Sequence, residues 1–386
     1  MNVYLDHNAT SPLRPEVRDH WWGLLGDNLG NPSSLHVSGR RARAVVDEAR
    51  ERVAGALSVP EQDVIFTPSG SSANSLILLG GVRAAGLECG LITSTIEHAA
   101  VLEPAEALER AGHFVERVPV DREGRVEASA VAAAVAKHTG PLWVSVMAAN
   151  NEVGTCAPIA SIAKAARGAG RRVWIHTDAV QCLGKLPIDL PSWDVDAATL
   201  SPHKVGGPLG VGILIVREEL PIEPLIYGGG QERGLIAGTE DAARCSAAAL
   251  AVELAVQEGH EIHESLRERT QSLWQALQER IPGVELHGPA LECAERLPNT
   301  LNIGLPGIDG RVLVTRLDLE GLSTSAGSAC ASGAIEPSHV LLAMGYPESE
   351  ARAALRLSIG RNTTQADVTR AADMLARVAQ AAQRSS

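Results

Sequence analysis

Apolar and polar positions divide the chain into two kinds of segment. Runs of about four to eight apolar residues, typical of buried strands, each end on polar residues. Between several of these runs lie stretches with apolar residues at helical spacing, such as 38–57 and 75–86. The segments in which this pattern predicts a strand are 63–68, 90–98, 141–154, 171–181, 195–204 and 211–219.

Strands that alternate with helices predict parallel βαβ units. We therefore expect an α/β fold with a mainly parallel central sheet flanked by helices. In such open sheets, ligands bind outside the carboxyl ends of the strands. Polar side chains collect at these predicted ends, which indicates a ligand site there. They are Ser69 to Ser72, His98, Asn151, Asp178, Gln181, Ser201, His203 and Lys204.

The length of the chain and a change in its pattern of apolar positions predict two domains. Its 386 residues, 45% of them hydrophobic, suffice for a large core and a second unit. From about residue 257 the pattern changes to a long amphipathic helix, followed by short strands and helices. We expect a large domain over 15–257 and a small domain over 258–386.

Charge and cysteine content argue against several classes of protein. The net charge of −12 disfavours direct nucleic-acid binding, which needs a basic face. The six cysteines form no CxxC pair, so we expect neither a zinc nor a redox motif, and no metal site. The pattern contains no signal peptide and no membrane span, which predicts a protein of the reducing cytoplasm without membrane contact.

Lys204 lies in "SPHK", just past a predicted strand and before the glycine-rich turn "VGGPLGVG". A surface lysine at a strand exit is the ordinary explanation. The chemical alternative is a partly desolvated amine that reacts with the aldehyde of a cofactor. Ser201 and His203, which precede it closely, would then reach a phosphate.

Other residues at the strand ends also allow two explanations. Asp178 is either a turn residue or the acid that keeps the ring nitrogen of pyridoxal phosphate protonated. Gln181 lies in the same turn, within reach of the ring's phenolic oxygen. His98 is either a satisfied histidine or a residue that stacks on the ring and moves protons. Gly70 and Ser71 belong to a small-residue turn before a helix, which suits a phosphate.

These residues carry a resemblance that runs nearly end to end. The chain resembles the pyridoxal-phosphate-dependent cysteine desulfurases of the NifS/IscS-like type, in the aminotransferase class V superfamily. The matching motifs are "YLDHNAT" at 4–10, "GNPSSLH" at 30–36, "EH" at 97–98, "NNEVG" at 150–154, "TDAVQ" at 177–181, "KLPIDL" at 185–190, "SPHK" at 201–204, "GGGQERG" at 228–234, "GSACASG" at 327–333, "EPSHVL" at 336–341 and "LRLSIGRNTT" at 355–364.

The resemblance implies fold type I of the pyridoxal phosphate enzymes and a role for each matching residue. Lys204 resembles the lysine that binds the cofactor, Asp178 the partner of the ring nitrogen, and Gln181 the donor to the phenolic oxygen. His98 resembles the histidine that stacks on the ring and moves protons. Residues 1–14 would join the small domain. The positions that resemble phosphate contacts are Gly70, Ser71, Ser201 and His203.

The resemblance also assigns substrate and partner residues. Asn151 and Arg356 resemble the clamp for the carboxylate of L-cysteine, which the planar fork of arginine suits. Thr239 resembles the threonine that completes the phosphate site of a neighbouring subunit, which implies a homodimer. Cys330 resembles the nucleophile that takes sulfur from cysteine, leaves alanine, and passes the sulfur to an acceptor protein.

Cys330 lies among small residues, in a segment of about 322–336. An unreactive thiol in a turn is the ordinary explanation for a cysteine, but nothing beside Cys330 would bury it. The segment holds no Lys, Arg or His next to the thiol, so we expect activation only at the cofactor, where His98 would take the proton. We therefore predict a mobile segment, whereas a rigid, buried Cys330 would favour a lyase with a fixed thiol.

Two departures from the family pattern stand in the sequence. Ser71 and Ser72 occupy the positions of a usual Thr-Glu pair, and Ile236 and Ala237 stand where an arginine is frequent. The chain also ends sooner after Arg356 than members whose longer tail docks an iron–sulfur scaffold.

The remaining alternatives concern reaction and acceptor. A selenocysteine or cysteine lyase, an aminotransferase, and a non-catalytic sulfur-relay subunit stay open as functions. Iron–sulfur assembly, tRNA thiolation, DNA phosphorothioation and biosynthetic sulfur carriers stay open as destinations of the sulfur.

Overall fold

The computed structural model describes residues 2–305, 308–327 and 337–383. Among the described helices, none has both the length and the apolar character needed to cross a membrane. The strands are β1 Val3–Tyr4, β2 Val64–Thr67, β3 Gly90–Ser94, β4 Val115–Val118, β5 Leu142–Ser145, β6 Val173–Asp178, β7 Ala197–Leu200, β8 Gly212–Val216, β9 Glu285–His287, β10 Thr300–Gly304, β11 Leu322–Ser323 and β12 Ala354–Ser358.

Helices alternate with the strands through the first two thirds of the chain. One turn of π-helix over Leu76–Gly80 joins the third helix to the fourth. The helices are α1 Pro15–Gly26, α2 Val37–Leu57, α3 Gly70–Ser75, α4 Gly81–Ala84, α5 Ala99–Arg110, α6 Ala128–Ala136, α7 Ile159–Arg167, α8 Leu190–Trp193, α9 Ala242–Gln257, α10 Gly259–Arg280, α11 Gly310–Leu319, α12 His339–Ala343, α13 Glu348–Arg352 and α14 Gln365–Gln383.

The central sheet has seven strands in the order β2-β8-β7-β6-β5-β3-β4. Strands β4, β3, β5, β6 and β7 run parallel to one another, which confirms the predicted mainly parallel α/β fold. Strand β8 is antiparallel to both of its neighbours, β7 and β2. Only residues 201–211 connect β7 to β8, and a parallel connection would need a crossover of a dozen or more residues.

Successive side chains of the central strands point to opposite faces of the sheet and pack into two cores. Val144 and Ile175 belong to the core that the sheet forms with helices including α2, α7 and α9. Trp143 and Trp174 belong to the core on the other face, with α5 and the π-helical turn. Both faces are covered, as the nearly continuous apolar runs of a parallel sheet require.

The C-terminal part has a sheet and a core of its own. Strand β10 pairs in antiparallel fashion with β9 and β12, and helices α10, α11 and α14 pack against this sheet. The N-terminal β1 lies parallel to β11, and Asp6 forms a bridge with Ser358. Helix α9 ends at Gln257 and α10 begins at Gly259. The division into two domains near this point stays a prediction.

Candidate active site

A cleft of about 330 Å³ lies at the carboxyl ends of β3, β5, β6 and β7. The N-terminal segment and β12 close its other side through Asn8 and Arg356. The residues singled out in the sequence that line it are Gly70, Ser71, His98, Asn151, Asp178, Gln181, Ser201, His203, Lys204 and Arg356.

Two other candidate residues lie elsewhere. Thr239 is exposed and does not belong to the lining of the cleft, a position that leaves its predicted contact with a second subunit as a prediction. Cys330 and most of its predicted mobile segment lie outside the described residues. The prediction made for that segment therefore stays a prediction as well.

Lys204 follows β7 in a 3₁₀ turn over Pro202–Val205. Its Nζ donates hydrogen bonds to the carbonyl oxygens of Asn8 at 2.8 Å and Ala9 at 2.7 Å. The amine therefore lies inside the cleft, against the N-terminal segment, rather than on the surface that a lysine at a strand exit usually occupies.

Asp178 is the last residue of β6 and only 6% of it is exposed. One carboxylate oxygen accepts from the backbone N–H of Val180 at 3.0 Å, which is the turn contact expected of an aspartate. The other oxygen accepts from Nδ2 of Asn74 at 2.7 Å. Asp178 is therefore a turn residue that also lines the cleft, and its pairing with the ring nitrogen of the cofactor stays a prediction.

Gln181 belongs to a buried network of amides. Its Nε2 donates to the carbonyl oxygen of Asn8 at 3.1 Å, and its Oε1 accepts from Nζ of Lys185 at 2.7 Å. Lys185 also donates to Oδ1 of Asn8 at 3.0 Å. Asn8 and Asn74 line the cleft, and Lys185 contacts two of its lining residues from outside. The sequence reasoning missed all three, although Asn8 and Lys185 lie within the motifs quoted for the resemblance.

His98 caps the N-terminus of α5. Its Nδ1 accepts a hydrogen bond from the backbone N–H of Ala100 at 3.0 Å. A neutral ring in this position carries its proton on Nε2. The preceding Glu97 is fully buried, and burial raises its pKa to about 8. Its carboxyl group accepts from the Ser94 hydroxyl and from the backbone N–H of Met147, which fixes the chain before His98.

The other end of the cleft offers hydroxyl groups and an imidazole. Ser201 is buried directly after β7. His203 shares a hydrogen bond with Oγ1 of Thr10, and its pKa is lowered to about 4, mainly by burial and then by the charge of Lys204. The Ser69 hydroxyl caps α3 by accepting from the N–H of Ser72.

Arg356 is a buried side chain of β12, 1% exposed. Its Nη2 forms an ion pair with Asp6 at 2.7 Å, and its Nη1 donates to the carbonyl oxygen of Asn151 at 3.2 Å. Within the described residues, its Nε has no hydrogen-bond partner. Arg356 lines the cleft, and the planar fork of its guanidinium suits a carboxylate ligand.

The set of groups in the cleft fits pyridoxal phosphate. An amine, Lys204, can hold its aldehyde, and a buried carboxylate, Asp178, can pair with its ring nitrogen. Gly70 and Ser71, predicted to lie in a turn before a helix, are the first two residues of α3, and together with the Ser201 hydroxyl they can receive its phosphate. The two serines where the family has Thr-Glu leave hydroxyl donors there.

Comparison with known proteins shows which family the chain belongs to. The family model described as aminotransferase class-V matches residues 3–371, and the chain belongs to this family. Cysteine desulfurase IscS of Dictyoglomus turgidum (strain DSM 6724 / Z-1310) is 40% identical over 377 residues, which cover 97% of this chain and 94% of the relative.

Solved structures share both the fold and part of the sequence. One described as a NifS-like protein superposes with a TM-score of 0.91 at 34% identity, covering 98% of this chain and 99% of that chain. A second, described as SspA in complex with cysteine, has a TM-score of 0.79 at 31% identity and covers 93% of this chain and 99% of its own.

Proposed function

We infer that the chain is a cysteine desulfurase, which removes sulfur from L-cysteine, leaves L-alanine, and depends on pyridoxal phosphate. The observation that carries this inference is the cleft itself. It brings an amine, a buried carboxylate, an imidazole and a buried guanidinium to one place from four distant parts of the chain: Lys204, Asp178, His98 and Arg356. Its relatives of similar length bear the name cysteine desulfurase.

Each group has a place in holding the cofactor. Lys204 would hold its aldehyde carbon, Asp178 its ring nitrogen and Gln181 its phenolic oxygen, while His98 would stack on the ring. Gly70, Ser71, Ser201 and His203 would hold the phosphate. Bound in this way, pyridoxal phosphate supplies the electron sink that makes the α-carbon of an amino acid acidic.

The substrate is proposed to be L-cysteine, with its carboxylate held by Asn151 and Arg356. Arg356 is oriented by Asp6, so its guanidinium is fixed before any ligand enters. The Lys204 amine, which lies in the same cleft, would take the proton from the α-carbon of the substrate. The neighbouring solved structure of SspA, described as a complex with cysteine, supports this choice of substrate.

Sulfur transfer is proposed to occur at Cys330. The Cys330 thiolate forms a bond with the sulfur of the substrate, and the bond between that sulfur and the β-carbon breaks. The electron pair stays with the carbon and, after protonation, gives alanine. The ring of His98 would take the proton of the Cys330 thiol, become positively charged, and then give that proton to this carbon, which returns the ring to its neutral form. A persulfide remains on Cys330 for transfer to an acceptor protein.

The test is the variant Cys330→Ser, with Cys293→Ser as the matched control. We expect Cys330→Ser to keep the visible absorption band of the bound cofactor, because no cofactor contact is lost, but to release no sulfide from cysteine. Cys293→Ser should retain turnover. Full turnover in Cys330→Ser would show that another group accepts the sulfur.

The quaternary structure and the location of the protein belong to the same proposal. Thr239 is exposed, as a residue that reaches into a second subunit must be in one isolated chain, so we propose a homodimer. The five described cysteines are all free thiols, which suits a reducing cytoplasm. Neither proposal names the acceptor of the sulfur.

A further inference from the structure

Lys185 is a buried cation outside the cleft, and it has amide oxygens as partners where a carboxylate would be usual. Only 5% of Lys185 is exposed. Its Nζ lies 2.7 Å from Oε1 of Gln181 and 3.0 Å from Oδ1 of Asn8. Burial, followed by the charge of Lys204, lowers its pKa to about 7. Burying a lysine amine without a carboxylate partner costs free energy, and none of the roles proposed above for the cleft residues explains why it is buried here.

The contacts of Lys185 decide which way two side-chain amides face. A lysine amine has hydrogens to donate in both its charged and its neutral form, so the oxygens of Gln181 and Asn8 turn toward it. Nε2 of Gln181 is thereby turned to the carbonyl oxygen of Asn8, 3.1 Å away. Rotating the Gln181 amide by half a turn would set hydrogens against hydrogens at Lys185 and oxygen against oxygen at Asn8.

Asn8 also links Lys185 to the Lys204 amine, because its side chain contacts Lys185 and its backbone carbonyl oxygen contacts Lys204. Asn8 is fixed on its second side, because its Nδ2 donates to Oγ1 of Thr300 at 2.8 Å. Its carbonyl oxygen accepts from both Gln181 and Lys204. Gln181 lines the cleft, and its Nε2 carries two hydrogens, of which this carbonyl takes one.

We propose that Lys185 is a positioning residue that acts through Gln181: it holds the amide nitrogen of Gln181 toward the cleft, as a donor to the phenolic oxygen of the bound cofactor. The proposal rests on the proposed function, since it concerns that cofactor. Lys185 itself touches neither the cofactor nor the substrate.

The test follows the pH midpoint of the visible absorption band of the lysine-bound cofactor. A donor at the phenolic oxygen stabilises the deprotonated form, so losing it raises this midpoint. We expect Lys185→Met to raise the midpoint by about one pH unit, since one hydrogen bond to a charged group is at stake. Lys185→Arg, which keeps donors at this position, should stay closer to the wild-type value.

The double variant separates positioning from charge. If Lys185 acts through Gln181, then Lys185→Met should add little to the midpoint already raised in Gln181→Ala. An equal shift in both backgrounds would mean that Lys185 acts by its charge alone and would overturn the proposal. A midpoint that does not move in Lys185→Met would overturn it as well.

Controls keep the result attributable to Lys185. Circular dichroism of the cofactor-free variants reports whether they fold. If Lys185→Met does not fold, Lys185→Gln replaces it, and we expect Lys185→Gln to raise the pH midpoint by a smaller amount. A wild-type protein that takes up no cofactor would contradict the proposed function and not the role of Lys185. A wild-type protein with a normal band and an unmoved variant contradicts this inference alone.

Discussion

Asp178 and Lys204 line the same cleft but are held by different means. The carboxylate of Asp178 receives two N–H donors, from Asn74 and from the backbone of Val180. The amine of Lys204 is held by two backbone carbonyl oxygens of the N-terminal segment. Each of the two groups thus meets partial charges of opposite sign.

The contact between Asn74 and Asp178 gives a prediction for a single residue. Asn74→Ala removes the donor from a buried carboxylate oxygen, so we expect the free energy of unfolding of the cofactor-free protein to fall by about 1 to 2 kcal/mol. Urea unfolding followed by circular dichroism measures this change. Ser75→Ala, one position along, should change it by less than about 0.5 kcal/mol. Equal stability of the two variants would show that this hydrogen bond contributes nothing.

At the scale of elements, the cleft depends on how closely β8 approaches the turn before α3. A side-chain carbon at Gly212 on β8 would lie 2.3 Å from the carbonyl carbon of Ser69 and 2.5 Å from the backbone nitrogen of Gly70. Only glycine permits this approach, which keeps the start of α3, with Gly70 and Ser71, at the edge of the cleft.

Gly212→Ala should therefore push the turn away from β8. Because the added carbon would meet backbone atoms of Ser69 and Gly70, which cannot rotate away, we expect a loss of about 1 to 3 kcal/mol in unfolding free energy and weaker retention of the cofactor. Thermal unfolding and equilibrium dialysis against pyridoxal phosphate measure the two effects. Gly55→Ala, on an exposed face of α2 with open space around it, should stabilise the protein by up to about 1 kcal/mol. A Gly212→Ala protein as stable as wild type would contradict the argument.

Six of the seven strands of the central sheet were predicted, because each is a short apolar run that ends on polar residues. Strand β4 was not predicted, because its sequence Val-Glu-Arg-Val carries two charges and is no apolar run. The antiparallel direction of β8 was not predicted, since it depends on the length of a connection and not on the residues of the strand. Asn74 was not predicted as a site residue, because nothing in the sequence around an asparagine one turn into a helix indicates that it contacts a buried carboxylate. The contacts of Asn8 with Lys185 and Thr300 join positions far apart in the sequence, and no periodicity reports such a pairing.

At the scale of the molecule, the N-terminal segment ties the cleft to the C-terminal sheet. The backbone N–H of Asn8 donates to the hydroxyl of Ser358, and Asp6 pairs with Arg356. The N-terminal segment thereby contacts the Lys204 amine, the Gln181 amide and the Arg356 guanidinium and holds them in fixed positions relative to one another. The assignment of this segment to the small domain stays a proposal.

The buried histidines predict how stability depends on pH. His176 is enclosed between the Ser145 and Thr199 hydroxyls, and burial lowers its pKa to about 3. Between its unfolded value of about 6.5 and pH 3, the unfolded chain binds a proton there that the folded chain does not, so stability falls as the pH falls through this window.

His176→Gln should remove this part of the pH dependence. Between pH 6 and pH 4, we expect the wild-type unfolding free energy to fall more steeply than that of the variant, by up to about 1.4 kcal/mol per pH unit. Urea unfolding at several pH values gives both slopes. The exposed His260 provides the control, because His260→Gln should leave the wild-type slope unchanged. Identical slopes for wild type and His176→Gln would contradict the burial argument.

The central claim is that the cleft removes sulfur from cysteine, and the products test it most directly. The measurement is the amount of alanine and of sulfide formed when the pyridoxal-phosphate-loaded wild-type protein acts on L-cysteine with an added thiol reductant. We expect alanine and sulfide in equal amounts over many turnovers. Pyruvate or another keto acid in place of alanine, or no product from a protein that carries the cofactor, would contradict it.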